Sequence, residues 1–371
     1  MVVSAVAPAN LITLIQFAAM LPAINQIVAK TWAKLAARAK IKPLPKMEAG
    51  KKEIAFGIDI GGTNSKFGLV TRDGKILSES SVKTRHYATP EDLIADLYTK
   101  YIQVIPEYLD EYQIIGIGIG APNGNYHTGC IEHAPNLPWA DIVPIREIAS
   151  RMFGLPTALT NDANAAASGE LIFGAAKNMK HVIVVTLGTG VGSGIIIDGK
   201  MLYGSTGVAG ELGHTVIRNH GRQHWTTGSK GVLEAYCSAT GIVLTALELA
   251  KSSKRSSSLQ QIPEADINAK KIYECAIAGD TLCQQAYQMT GQLLGEALAN
   301  FAMFSSPEAI ILFGGVTQAG ELLMNPTRHS LEKNLLPVFR NTIKLMYSAL
   351  PQSDAAILGA SSLAWHALLG N

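Results

Sequence analysis

Residues 53–71 read EIAFGIDIGGTNSKFGLVT. The first eight alternate towards a buried strand, Gly61-Gly62 turns the chain, and SKFGLVT returns as a second strand. Asp73-Gly74 then marks a hairpin into KILSESSVKT. Glycines at a strand end let backbone N–H groups approach an anion closely, and a threonine hydroxyl adds a donor. Gly61, Gly62, Thr63 and Asn64 therefore form a candidate phosphate loop. Asp59 would repel a phosphate directly, so its sensible role is to hold Mg²⁺ through water, since that ion bridges phosphates. The alternative is a hairpin that merely needs glycine.

The same device recurs at HVIVVTLGTGVGSGIIIDGK, where Gly188, Thr189 and Gly190 follow a strand and Asp198-Gly199 turns a hairpin. Ser193 stands where GxGxxG requires its third glycine, and GxxxxGK[ST] is absent, so the Rossmann and P-loop readings both fail. Two strand–glycine–hairpin units followed by helices predict a duplicated α/β fold, with a nucleotide triphosphate gripped in the cleft between lobes. A third strand end, Phe313-Gly314-Gly315-Val316, offers bare backbone to a flat adenine or a ribose. Between these points the pattern predicts a helix from Pro90 to about Ile105 and a buried strand over 114–120. A long loop follows to about Ile142, then a short strand ending at Asn161-Asp162. A small-residue helix begins there; the chain turns helical from about residue 230, and a last helix closes it.

Thr160-Asn161-Asp162-Ala163-Asn164 admits two readings. Asn and Asp are preferred helix caps, and Asp suits the first turn of a helix. Alternatively Asp162 is the general base for an attacking hydroxyl, with Asn161 binding a neighbouring one. Glu211, His214 and Glu234 add the carboxylates and imidazole that could pair with vicinal sugar hydroxyls; the bland alternative is a solvated surface loop. His214, His220 and His224 also lie close together in sequence, which raises a metal site as a third possibility.

Composition bounds these readings. The 371 residues suffice for two domains, and 47% hydrophobic content with 16% charge describes a globular chain. Net charge is +2, but residues 1–46 carry Lys30, Lys34, Arg38, Lys40, Lys42 and Lys46 with no acid. The remainder is mildly acidic, a poor match for nucleic acid. Four cysteines without a CxxC pair read as reduced thiols of a cytoplasmic protein. Residues 1–29 are uncharged, which allows a membrane contact. Asn10, Gln16, Pro22 and Asn25 count against a span, and the charges follow the apolar run instead of preceding it as in a signal peptide.

Taken together, DIGGTNSKFG, GIGAPNGNYHTGCIEHAPNLPW, NDANAAA, TLGTGVGSG, GELGH and LEAYCSATG resemble, in order, the ROK family of sugar kinases and repressors, within the actin-like sugar-kinase superfamily. Bacterial glucokinases are the nearest match within it, through APNLPW and LEAY. The resemblance covers about residues 52–370. It implies Asp162 as catalytic base and sugar contacts from Asn136, Asn161, Glu211, His214 and Glu234. It also implies phosphate loops at Asp59–Thr63 and Gly188–Gly190, an adenosine side at Gly314-Gly315, ATP with Mg²⁺, a cleft closing on glucose, and homodimers. The expected domains are an extension over 1–50, a small lobe over 51–160 joined by a closing helix at 354–369, and a large lobe over 161–353. One departure stands out. The family usually follows its GH with C-x-C-G-x-x-G-C-x-E, whose thiolates and histidine hold a structural zinc. Here the run reads HWTTGSKGVLE, with Val232 for the last cysteine and the earlier pair replaced within His224–Thr227. The expectation is that the zinc is lost and that no metal site remains.

The leading expectation is an ATP-dependent kinase for the 6-hydroxyl of glucose. The alternatives are a kinase for N-acetylmannosamine, fructose or mannose, or a non-catalytic sugar-sensing protein of the same family. Residues 1–46 are too apolar and too short for the helix-turn-helix of a repressor. Because the motifs begin at Ile54, translation started at Met47 is expected to give an active kinase. A sugar-dependent ADP-release assay on that shortened chain checks this, and loss of activity would make residues 1–46 part of the working protein.

Overall fold

The computed structural model describes residues 48, 50–139, 141–253 and 256–369, so the readings of residues 1–47 lie outside it. Strands β1 (Lys52–Ile60), β2 (Asn64–Thr71) and β3 (Ile76–Lys83) form an antiparallel meander. Helix α1 (Pro90–Val104) is started by Thr89, whose hydroxyl accepts the Asp92 N–H at 3.1 Å, with Pro90 and two acids in its first turn. It leads to β4 (Tyr112–Gly120), parallel to β1. A small pair, β5 (Ile131–Glu132) and β6 (Ile142–Val143), and helix α2 (Ile145–Phe153) precede β7 (Thr157–Thr160), parallel to β4. The sheet order is β3-β2-β1-β4-β7.

After helix α3 (Asp162–Ile172) the plan repeats. Strands β8 (Val182–Leu187), β9 (Val191–Ile197) and β10 (Lys200–Met201) form the meander, and β11 (Ala309–Phe313) and β12 (Lys344–Tyr347) extend it in parallel. The order β10-β9-β8-β11-β12 matches the first sheet position by position. This is a duplicated actin-like fold. Helices α4 (Ala239–Ser252), α5 (Ala269–Ile277), α6 (Thr281–Ser305) and α7 (Glu321–Asn334) belong to the second half, and α8 (Ala355–Leu369) closes the chain. Among the described residues, no helix is long and apolar enough to cross a membrane.

The structure corrects the sequence reading in several places, the first being the β5–β6 pair within the stretch expected to be a loop. The helix expected from about residue 230 is one turn at Glu234–Cys237, then a break at Ser238, whose hydroxyl accepts the Gly241 N–H at 3.0 Å and starts α4. Helices α2 and α7 and strand β12 were not anticipated.

Packing between the halves depends on missing side chains. Gly68, Gly57 and Gly118 stand opposite one another on β2, β1 and β4, and α8 lies on that row. A Cβ on Gly118 would fall 1.8 Å from the Ala360 carbonyl oxygen, and one on Gly57 would fall 2.6 Å from that of Ile357. Helix α3 is held as tightly from its other side. Added Cβ atoms on Gly192 and Gly194 of β9 would come within 2.9 and 2.5 Å of the Ala163 and Ala167 methyls. One on Gly359 of α8 would reach the Ala165 carbonyl oxygen at 2.8 Å. The layers thus run first sheet, α8, α3, second sheet. Gly118→Ala is expected to destabilise the fold by about 1–3 kcal/mol through overpacking, read as a lower urea midpoint. An unchanged midpoint would mean that α8 is not seated on that glycine row.

Candidate active site

The clamped helix α3 brings its N-terminus into a cleft of about 580 Å³ between the halves. Asn161 caps the helix: its Oδ1 accepts the Asn164 N–H at 2.7 Å. The bland cap reading is therefore realised at Asn161, while its amide nitrogen remains for another partner. Asp162 follows as the first helical residue and accepts the Ala163 N–H at 2.9 Å. Its carboxylate is open to the cleft, yet the crowding of protein around it raises its pKa above the ordinary carboxylate range.

Only the second glycine loop lines this cleft, and the first lies beside it. At the end of β8, Gly188, Thr189 and Gly190 line the cleft, and the loop closes on itself through the Gly188 N–H to the Gly190 carbonyl at 3.0 Å. Gly190 leaves no room for a side chain, since a Cβ would sit 2.5 Å from the Glu234 carboxylate. At the end of β1, the turn Gly61–Asn64 lies just outside the cleft wall. It is braced by buried Thr84, whose hydroxyl donates to the Gly61 carbonyl at 2.6 Å and whose N–H donates to the Thr63 carbonyl at 2.9 Å. A Cβ on Gly62 would come within 2.9 Å of the Asn136 Cβ, and Asn136 lines the cleft. Asp59 is half-buried on β1 opposite Gly120. Burial first, and the nearby Asp162 charge second, push its pKa up from 3.8 to about 6, with Lys66 only partly offsetting.

Glu211, His214 and Glu234 occupy the other wall. Burial raises the Glu211 pKa; His214 opposes this, and the Asp162 and Glu234 charges add to it. His214 Nε2 stands 3.9 Å from the Glu211 carboxylate. Glu234 differs from expectation because both its oxygens already have protein partners: Val191 N–H and His224 Nε2, each at 2.6 Å. Each oxygen keeps a further lone pair for a ligand. Gly314 lines the cleft, and Gly315 borders an adjoining cavity of about 280 Å³ with Tyr273 and Gln318. Trp225, Thr226 and Asn123 also line the cleft, and sequence reasoning missed them. The signal for the first two was the very stretch where the family motif is broken.

Residues 55–367 match the ROK family. The chain belongs to the ROK family. Among its relatives is a glucokinase of Halalkalibacterium halodurans, 34% identical over 312 residues, which are 83% of this chain and 93% of the relative. A xylose repressor of Bacillus spizizenii is 28% identical over 84% of this chain and 77% of its own length. In three dimensions the fold is similar to a ROK glucokinase from Streptomyces griseus, solved in complex with glucose and AMPPNP. The TM-score is 0.66 and the identity 31%, covering 84% of this chain and 98% of that one. ROK membership therefore agrees with the architecture, and both kinases and a repressor stand among the relatives.

Asp59 allows a test that needs no substrate. Its folded pKa of about 6 lies above the ordinary 3.8, so the folded protein holds this proton more tightly than the unfolded chain. Stability from this group is greatest below about pH 4 and falls as pH rises towards about 6. Asp59→Asn removes the buried charge and is expected to stabilise the protein by about 2 kcal/mol at pH 7.5, and by much less at pH 4. Denaturant melts at the two pH values check this, and equal effects at both would mean that Asp59 is not charged and buried at neutral pH.

Proposed function

We propose that the protein transfers the terminal phosphoryl group of ATP to the 6-hydroxyl of glucose. The observation that carries this reading is the convergence of an open carboxylate at a helix N-terminus, Asp162, with a sugar-compatible wall and a glycine loop in a single cleft. Asp162 accepts the proton of the 6-hydroxyl as the oxygen bonds to the γ-phosphorus. The bond from that phosphorus to the β–γ bridging oxygen breaks, and ADP leaves. Asn161, Glu211, His214 and Glu234 orient the sugar through its other hydroxyls, with Asn136 beside them. The Gly188 and Gly61 N–H groups are taken up within their own loops, so the donors for the phosphates are the Thr189 and Gly190 N–H groups and those of Gly62 and Thr63, and adenosine lies towards Gly314-Gly315.

Asp59 fits a cation partner, because it is an acidic group crowded by protein and under the charge of a second carboxylate, Asp162, which Lys66 only partly offsets. Mg²⁺ arriving with ATP would be held there through water and would neutralise phosphate charge. The proposed lobes are residues 51–160 with the helix at 354–369, and residues 161–353. The packing of α8 on the first sheet supports that division. Four free cysteines, three of them buried, suit a reducing cytoplasm. A homodimer is the proposed assembly, on family grounds, and light scattering tests it.

An ADP-release assay over a panel of sugars is the deciding experiment. Glucose is expected to give the highest kcat/KM; preference for mannose, fructose or N-acetylmannosamine would change the sugar and keep the chemistry. Asp162→Asn is expected to lower kcat by roughly 10²–10⁴-fold with little change in sugar affinity. Near-normal turnover in that variant would leave Asp162 as a helix-end residue only, and no turnover with any sugar in the parent protein would favour a sensing role.

A further inference from the structure

The segment between His214 and Glu234 is where the family motif would hold zinc, and its residues here do not fit that ion. Counted back from Glu234, the three thiolate positions are Val232, Thr227 and Trp225. Among the described residues, no group of three or more His, Cys, Asp or Glu side chains is placed to hold a metal. Cys237, buried and beyond the motif, donates its thiol to the Thr290 carbonyl at 3.6 Å. His220 is exposed, at a left-handed turn position with φ 56°.

His224 lies where the motif is broken, and it is buried. Its side chain is only 2% exposed, and both ring nitrogens are committed. The Thr227 backbone N–H lies 3.2 Å from Nδ1. A backbone N–H can only donate, so Nδ1 accepts and the ring proton sits on Nε2. Nε2 then donates to Glu234 Oε1 at 2.6 Å, while Glu234 Oε2 accepts the Val191 N–H at 2.6 Å. A continuous run of hydrogen bonds thus joins Thr227, His224, Glu234 and the strand that leaves the second glycine loop.

Arg222 fastens the base of the segment. Its guanidinium donates to the Ala235 and Gly241 carbonyls, to Thr245 Oγ1 and to both Glu248 oxygens, and it lies 4.6 Å over the Tyr236 ring. These contacts fix the chain on either side of His224, so the imidazole enters the Glu234 site with its orientation already set.

We infer that His224 is a positioning residue that does the work of the missing metal: its Nε2–H locks the Glu234 carboxylate against the second glycine loop and orients it for the sugar. This rests on the reading of the cleft as a sugar site, since Glu234 matters to binding only if a sugar lies there. His224 itself makes no contact with the reacting atoms.

Two substitutions separate the donor from the ring. In His224→Gln a side-chain amide can stand where Nε2–H stands, whereas His224→Leu keeps apolar bulk and removes the donor. The Leu variant is expected to weaken glucose binding, measured by calorimetry without ATP, by roughly tenfold or more. Its kcat should change by less than about threefold, and the Gln variant should stay within about threefold of the parent for glucose. Amide exchange over 188–192 should quicken in the Leu variant alone. The ¹⁵N spectrum of the parent should show one histidine, missing from both variants, as the Nε2–H tautomer and unmoved by EDTA. Unchanged glucose binding in the Leu variant would overturn the inference, as would a Gln variant no better than Leu. Stoichiometric zinc whose removal shifts the His224 signals would overturn it too. Should the parent bind no sugar at all, the functional reading fails; the tautomer and the exchange over 188–192 still judge the clip. Should the Leu variant not fold, the parent's tautomer and zinc content decide.

Discussion

Everything in this molecule hangs on how closely α3 and α8 approach the two sheets. Neither helix could lie where it does with an ordinary side chain at Gly118, Gly57, Gly192 or Gly194. Close-packed interiors transmit small displacements because they have no slack. Helix α3 is fixed on one side by the second sheet and on the other by α8, which is fixed in turn on the first. Asp162 at its N-terminus is therefore placed relative to both halves at once. The halves meet again where the Tyr126 ring stacks on Tyr203 at 4.0 Å and His127 Nε2 bonds the Gly204 carbonyl at 2.7 Å.

The cleft carries an electrostatic burden that follows from this geometry. Asp59, Asp162 and Glu211 are all raised in pKa with burial as the leading cause, and the Asp162 charge adds to the rise at Asp59 and at Glu211, with partial relief from Lys66 and His214. A core built for stability alone would not gather three acids there. Such perturbed groups in a cleft are a physical mark of a functional site.

Much of this was legible in the sequence because local chemistry and global fold agree. The strand–glycine–hairpin units announced both meanders, and Asn161-Asp162 before a run of alanines announced α3. What stayed hidden depends on distant or contradictory signals. Helix α2 has only nine residues and follows Pro144 in a stretch rich in turn formers. Helix α7 contains Pro326, which reads as a break. Strand β12 has four residues and lies at the sheet edge, where pairing with β11 alone defines it. Ser238 did carry a usable signal, since a serine three residues before glycine can cap a new helix. The partnership of His224 with Glu234 was not readable at all, because it exists only once the intervening turn at Thr227–Ser229 has folded.

The composition of the 222–236 segment has a chemical consequence of its own. Its clip consists of an imidazole, a carboxylate, a guanidinium and a hydroxyl, without sulfur. Thiolates that bind metal are open to peroxide and other oxidants, which carry cysteine up the ladder to sulfenic and higher acids. None of the groups fastening this segment can follow that course, and of the four cysteines only Cys275 is not buried. The clip that holds Glu234 on the wall of the cleft thus contains no thiolate through which an oxidant could undo it.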